Sequence, residues 1–288
     1  MLIWKKSEPG SIREENQDVL LIRDDQGMAI LADGRGHSGR EAAGAAAEAL
    51  ARRLTALQAL ARPDTAMAGV EDAIRDTRAE IARRGLGRPG LGETGVDLAV
   101  AVIIEGKLML GRTGPTGMLA RIGDDLVQLE PVGLPTLAAA SGVDPDLNDT
   151  GKAAIPSSPP PGTDRPLVGG PFPVQPGDWI LVCSQGLLVS QPLCEIAPLA
   201  GLMHRETDDI AEALFRRAGA RYDGDDRTLT VLRLLPNDLK KRRSEDVILE
   251  THIDKKFSMP LWMPLAAFAT ITVGVLAVWS RVRRLMGG

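Results

Sequence analysis

Apolar and polar positions alternate with two different periods over the first 236 residues, and the switches between them mark the elements. Residues 17–33 hold two apolar runs separated by Asp24-Asp25-Gln26-Gly27, which predicts two strands joined by a turn. Gly39 to Ala61 is an alanine-rich helical pattern that ends at Pro63. Thr65 to Arg84 predicts a second helix, stopped by Gly85 with Gly87, Pro89 and Gly90 beyond. Short apolar runs follow at Val96–Ile104, Lys107–Arg112, Gly117–Ile122 and Leu126–Leu129, with turns at Glu105-Gly106 and Gly123-Asp124-Asp125. Such a hairpin series predicts an antiparallel sheet. From Glu130 to Pro176 the pattern collapses. Ser157-Ser158-Pro159-Pro160-Pro161-Gly162 and Gly169-Gly170-Pro171-Phe172-Pro173 lack the backbone donors of a regular ladder, so a long surface loop is expected. A strand at Trp179–Cys183, helices over 192–199 and 206–218, and a last strand at Thr228–Leu235 complete the region. Helices at both ends with strands between them fit a β-sandwich covered by helices on its outer faces.

Composition shifts after Pro236. Lys240-Lys241-Arg242-Arg243 and Lys255-Lys256 flank a polar linker, and no charged residue occurs from Phe257 to Ser280. As a helix, Leu261 to Trp279 would span roughly 28 Å, close to a hydrocarbon core of about 30 Å. Trp262 and Trp279 sit at its two ends, where indole rings favour the membrane interface. Four parts are therefore expected: a globular domain over 1–236, a basic linker over 237–258, a transmembrane helix over 259–281 and a short basic tail over 282–288. Lys and Arg are more numerous before the span than after it, which predicts a single-pass membrane protein with its large N-terminal domain on the cytoplasmic side. The linker's basic residues can also rest on the anionic headgroups of the lipid bilayer.

With 44% hydrophobic and 25% charged residues, the 288-residue chain can bury a sizeable core, although aromatics at 3% leave aliphatic side chains to fill it. A net charge of −4 gives no basis for nucleic-acid binding. The two cysteines, Cys183 and Cys194, build no disulfide framework, and no secretory signal opens the chain.

The chemistry concentrates in acidic stretches beside apolar runs: Arg13-Glu14-Glu15-Asn16-Gln17-Asp18, Leu31-Ala32-Asp33-Gly34, and Asp223-Gly224-Asp225-Asp226. A carboxylate at a strand end beside a glycine lets side chain and backbone carbonyl approach one ion, the oxygen-only arrangement that hard divalent cations need. Asp-Gly is also the commonest turn signal, which is the plain alternative for each stretch alone. In chain order, Arg-x-x-Asn-Gln-Asp, Ala-Asp-Gly-x-Gly-His, Pro-Gly-Asp-x-Ile-Leu-Val-Cys-Ser-x-Gly-Leu and Asp-Asp-x-Thr resemble the motifs of the PP2C (PPM) family of metal-dependent protein serine/threonine phosphatases. The resemblance covers roughly residues 1–235. It implies an α+β fold, the α-β-β-α sandwich of that family, to which this chain adds one C-terminal transmembrane helix.

In that family a pair of Mg²⁺ or Mn²⁺ ions activates water for in-line attack on a phosphoserine or phosphothreonine, without a covalent intermediate. Carried over residue by residue, the resemblance makes Asp33 the carboxylate shared by both ions, and Gly34 a carbonyl ligand. Asp18 and Asp225 become further metal ligands, and Arg13 becomes the clamp for substrate phosphate. Gln17, where many members carry Glu, binds through its carbonyl or through water. Two motifs depart from the pattern. Ser184-Gln185-Gly186 stands where the family has Ser-Asp-Gly, and Gly114-Pro115-Thr116-Gly117 where it has Gly-Asp-Ser-Arg. Each lost carboxylate leaves more of the repulsion between two dications uncompensated. Gln185 still offers one oxygen, and Asp226, in place of the usual Asn, or Asp223 can compensate. Two functions stay open: a membrane-anchored phosphatase with weakened metal binding acting on a cytoplasmic phosphoprotein, or a catalytically inactive pseudophosphatase that binds a phosphorylated protein partner within a membrane complex.

Overall fold

A computed structural model describes residues 1–60, 62–85, 94–129, 165–191, 193–196, 207–221 and 224–236. The chain divides into two units, Met1–Arg242 and Arg243–Gly288, and every described residue lies in the first. The expected span at 259–281 and the flanking linker and tail therefore fall outside the described residues, as does Asp223. Among the described residues no helix is long and apolar enough to cross a membrane.

The elements are β1 (Leu2–Glu8), β2 (Asp18–Arg23), β3 (Met28–Arg35), α1 (Gly39–Leu60), α2 (Pro63–Gly85), β4 (Gly95–Ile104), β5 (Lys107–Arg112), β6 (Gly117–Ile122), β7 (Asp125–Leu129), β8 (Leu167–Pro173), β9 (Trp179–Cys183), α3 (Gln185–Ser190), α4 (Leu193–Ile196), α5 (Thr207–Arg221) and β10 (Arg227–Arg233). The strands form two antiparallel five-stranded sheets, ordered β1-β10-β9-β6-β7 and β2-β3-β4-β5-β8. Side chains alternate across a strand, so each sheet has two faces with separate duties. On β3, Met28, Ile30 and Ala32 pack under α1 and α2, while Ala29 and Leu31 point into the layer between the sheets. Ala99, Ala101 and Ile103 of β4, Met118 and Ala120 of β6, Ile180 and Val182 of β9, and Leu232 of β10 share that layer. Leu181, Leu229 and Val231 meet Leu187, Leu188, Leu214 and Phe215 of the late helices on the far side. The result is a helix-sheet-sheet-helix stack. Ala43, Ala46 and Ala47, all fully buried, let α1 lie close to its sheet.

Three elements were not expected. β1 carries Lys5, Lys6, Ser7 and Glu8 in its second half, and such a polar run does not read as a strand. It sits at a sheet edge and pairs with β10 alone. β8 lies inside the stretch expected to be a loop, prolines included. It too is an edge strand, paired among the described residues only with β5, so the N–H groups missing at Pro171 and Pro173 interrupt no second ladder there. α3 begins directly at Gln185, where the sequence shows only the end of a strand. The expected helix at 192–199 is described only as α4, and that at 206–218 runs from Thr207 to Arg221.

Leu31 is fully buried between the sheets, two residues before Asp33. Leu31→Ala should lower the unfolding free energy by about 2–5 kcal/mol, measured by urea denaturation.

Candidate metal centre

The inter-sheet face of three neighbouring strands ends in acid. Leu20 and Ile22 of β2, Ala29 and Leu31 of β3, and Ala99 and Ala101 of β4 line the interior. One step of two further along the same face stand Asp18, Asp33 and Asp97. The strand register places Asp18 opposite Asp33, and Asp33 opposite Asp97. All three are buried, at 5%, 9% and 1% exposure. They form a row of carboxylates along the lip of the sandwich.

The row solves its charge problem in two ways. Asp97 has cations: Arg35 Nε lies 3.2 Å from its Oδ2, and Arg78 Nη2 lies 3.5 Å from its Oδ1. Asp18 and Asp33 have no ion pair among the described residues. Burial pushes the Asp18 carboxyl from 3.8 up to about 7, with the charges of Asp226 and Asp225 adding to it and the hydroxyls of Thr228 and Ser184 opposing it. Burial likewise raises Asp33 well above the ordinary carboxylate range, reinforced by Asp18, Asp225 and Asp97. Thr228 Oγ1 donates to Asp18 Oδ2 at 2.7 Å, whereas the buried Asp18 Oδ1 has no hydrogen-bond partner. The Ser184 hydroxyl also lies within hydrogen-bond reach of the Asp226 carbonyl, at 3.2 Å. Asp33 accepts the backbone N–H of Gln185, at the start of α3, at 3.4 Å.

The loop between β1 and β2 is pinned over this row from the other sheet. Asp226 accepts the backbone N–H of Gly10 on Oδ1 at 3.0 Å and that of Gln17 on Oδ2 at 2.8 Å. Both of its oxygens thus accept backbone N–H groups, which gives Asp226 a structural duty. The loop's Arg13 gives Nη2 to Asp225 Oδ1 at 2.8 Å and Nη1 to Gln17 Oε1 at 3.0 Å. Burial works against the Arg13 charge, but Asp225 and the neighbouring carboxylates hold its pKa above the usual arginine value. Gln17 Nε2 reaches the Gly36 carbonyl at 2.9 Å, so its carbonyl oxygen serves Arg13. Arg13 and Asp225 thereby satisfy each other, and among the described residues no three acidic, His or Cys side chains converge as a ready-made cage.

Two glycines make the close packing possible. Gly34 lies inside β3, where the sequence suggested a loop, and a Cβ there would fall 2.1 Å from the Gly39 carbonyl oxygen. At Gly186 a Cβ would fall 2.1 Å from the Asp226 carbonyl oxygen, so α3 can approach β10 only without a side chain. The 7%-exposed Gln185 contributes its backbone N–H to the row. The Gly114-Pro115 turn packs directly on Asp97, whose Cγ would lie 2.1 Å from a Cβ at Gly114.

Asp97, Ser184 and Thr228 escaped the sequence reading. Asp97 had a usable signal, a lone acid as the third residue of a ten-residue run that is otherwise buried and uncharged. Thr228 closes the Asp-Asp-x-Thr motif, but threonine is an ordinary strand residue and nothing in the sequence marked it as a partner of Asp18.

No family model and no curated protein sequence matches the chain. Solved structures do. One is the PPM Ser-Thr phosphatase MsPP from Mycobacterium smegmatis, in complex with cacodylate; it is 19% identical with a TM-score of 0.58, over 81% of this chain and 98% of that one. The catalytic domain of the serine/threonine protein phosphatase PstP, in complex with two manganese ions, is 21% identical with a TM-score of 0.58 over the same shares. PppA from Pseudomonas aeruginosa, a key regulatory component of T6SS, is 18% identical with a TM-score of 0.57, over 81% and 96%. The fold is that of the PPM phosphatases.

The PPM fold implies divalent cations, and the residues present fit them. Asp18 and Asp33 are hard oxygen donors, buried, close in register and without a cation of their own, and Asp18 Oδ1 lacks any donor. The metal-free protein carries the repulsion of these two carboxylates. Asp18 titrates near 7 when folded against 3.8 when unfolded, so between those values the folded chain holds the extra proton and stability falls as pH rises. Without divalent cations the melting temperature should be lower at pH 8 than at pH 5. Asp18→Asn should flatten that difference, and Mn²⁺ should raise the parent's melting temperature at pH 8; scanning calorimetry measures all three.

Proposed function

We propose that the chain is a protein serine/threonine phosphatase that depends on Mg²⁺ or Mn²⁺ held with weakened affinity. The observation that carries this reading is the opposed pair Asp18 and Asp33, buried without a counter-charge beside a guanidinium on the same rim. The comparisons support it with neighbours described as serine/threonine phosphatases, one of them holding two manganese ions.

Asp18, Asp33 and the Gly34 carbonyl would hold the cations, with Asp225 joining once Arg13 leaves it. Bound there, divalent cations supply Lewis acidity, lowering the pKa of water and offsetting charge on a phosphoryl group. The chain's own groups do the rest. Arg13 is a planar fork suited to two phosphate oxygens, and Gln17 aims it by accepting from Nη1. The Asp226 staple fixes the loop that carries both. Phosphate of a phosphoserine or phosphothreonine replaces Asp225 as the partner of Arg13.

We further propose that residues 259–281 anchor the protein in a membrane, with the domain on the cytoplasmic side and a cytoplasmic phosphoprotein as substrate. The mutual occupation of Arg13 and Asp225 favours a second reading, in which the rim binds a phosphorylated partner without turnover.

Hydrolysis of a phosphothreonine peptide, followed with and without Mn²⁺, separates the two. The enzyme reading expects Mn²⁺-dependent turnover that Asp33→Ala abolishes; silence of the parent under saturating Mn²⁺ sinks it in favour of the binding reading. Restoring the carboxylate with Gln185→Asp should tighten Mn²⁺ by roughly tenfold, about 1.4 kcal/mol, in titration calorimetry.

A further inference from the structure

Asp18 is served by a chain of hydrogen bonds that crosses from one sheet to the other. Its own backbone N–H donates to Asn16 Oδ1 at 2.9 Å, which fixes the orientation of that amide. The Asn16 NH₂ group then donates to Ser7 Oγ at 2.7 Å. Ser7 faces Thr228 in the β1–β10 register, and their hydroxyl oxygens are 2.6 Å apart. Thr228 Oγ1 in turn lies 2.7 Å from Asp18 Oδ2. Seen from the other end, an ionised carboxylate has no proton to give, so the Thr228 hydroxyl donates to Asp18. Its oxygen then accepts from Ser7, whose oxygen accepts from Asn16. Both ends impose one direction. Each hydroxyl in the chain donates once and accepts once, and among the described residues the buried Oδ1 of Asp18 has no hydrogen-bond partner.

We propose that Asn16, Ser7 and Thr228 form a one-way relay that ties up Asp18 Oδ2 and presents Oδ1 to a divalent cation, with Thr228 as the positioning residue. The proposal rests on the metal-centre reading given above. A hydroxyl donating to a carboxylate is a strong, directional bond, and outer groups of this kind hold a ligand oxygen in place for a metal. The relay also explains why the centre sits where it does. Asp18 begins β2 of one sheet and Thr228 lies at the start of β10 in the other, so the ligand is aimed only when the two sheets are docked.

The test is Mn²⁺ titration calorimetry on the full chain, alongside metal-free thermal unfolding. Thr228→Val keeps the shape and removes the hydroxyl; it should weaken Mn²⁺ binding by about tenfold or more, and Thr228→Ser should return it to within about threefold of the parent. Ser7→Ala should weaken binding by a smaller factor in the parent and by nothing further in the valine variant, since the relay is already cut. A valine variant that binds as tightly as the parent, or a serine variant as weak as the valine, overturns the relay while leaving the metal centre standing. A parent with no Mn²⁺ affinity overturns the metal centre and the relay together. Should Thr228→Val fail to fold, Ser7→Ala decides: unchanged affinity there overturns the proposal.

Discussion

Two carboxylates buried face to face on adjacent strands are the constraint around which this fold is arranged. Asp18 and Asp33 oppose each other at the lip of the sandwich, where water is scarce and like charges repel strongly. Asp97, next in the same row, shows how the protein settles such a charge permanently, with Arg35 and Arg78. The first two receive no such treatment. A chain selected for stability alone would replace them or pair them, as it paired the third. Among the described residues neither carboxylate has an ion pair and Asp18 Oδ1 has no donor, which is the charge imbalance that the proposed cation would relieve.

The surrounding architecture is devoted to holding that row open. Asp226 fastens the β1–β2 loop through two backbone amides, and Arg13 spans Asp225 and Gln17. A neutral side chain at Gln185 leaves this frame intact, because α3 contacts Asp33 through a backbone N–H that residues other than proline supply. The shape of the rim therefore does not depend on which side chain stands at 185.

Much of this was legible in the sequence, for identifiable reasons. β9 is a continuous apolar run, and β3 and β4 are apolar but for Asp33-Gly34-Arg35 and Asp97 near one end. α1 stops at Leu60 shortly before Pro63 and α2 ends at Gly85, so the positions of all five follow from periodicity. β1 and β8 were hidden because edge strands need only one ladder and tolerate lysines or prolines. Asp18, Asp33 and Asp225 stood out as acids beside apolar runs. Residue type could not tell that Asp226 holds backbone while its neighbour Asp225 faces a guanidinium. That distinction depends on which strand end meets which loop, and only the docking of the two sheets decides it.

Gly34 and Gly186 carry no charge and no side-chain donor, yet they set how closely the backbone packs at the rim. At each, a single methyl group would strike a carbonyl oxygen 2.1 Å away. Under the proposed function, an inactivating change can therefore fall at Gly186, a residue given no contact with cation or phosphate. An alanine at 186 would prise the first turn of α3 off the Asp225–Asp226 segment, spoiling the rim with its full complement of oxygens still in place.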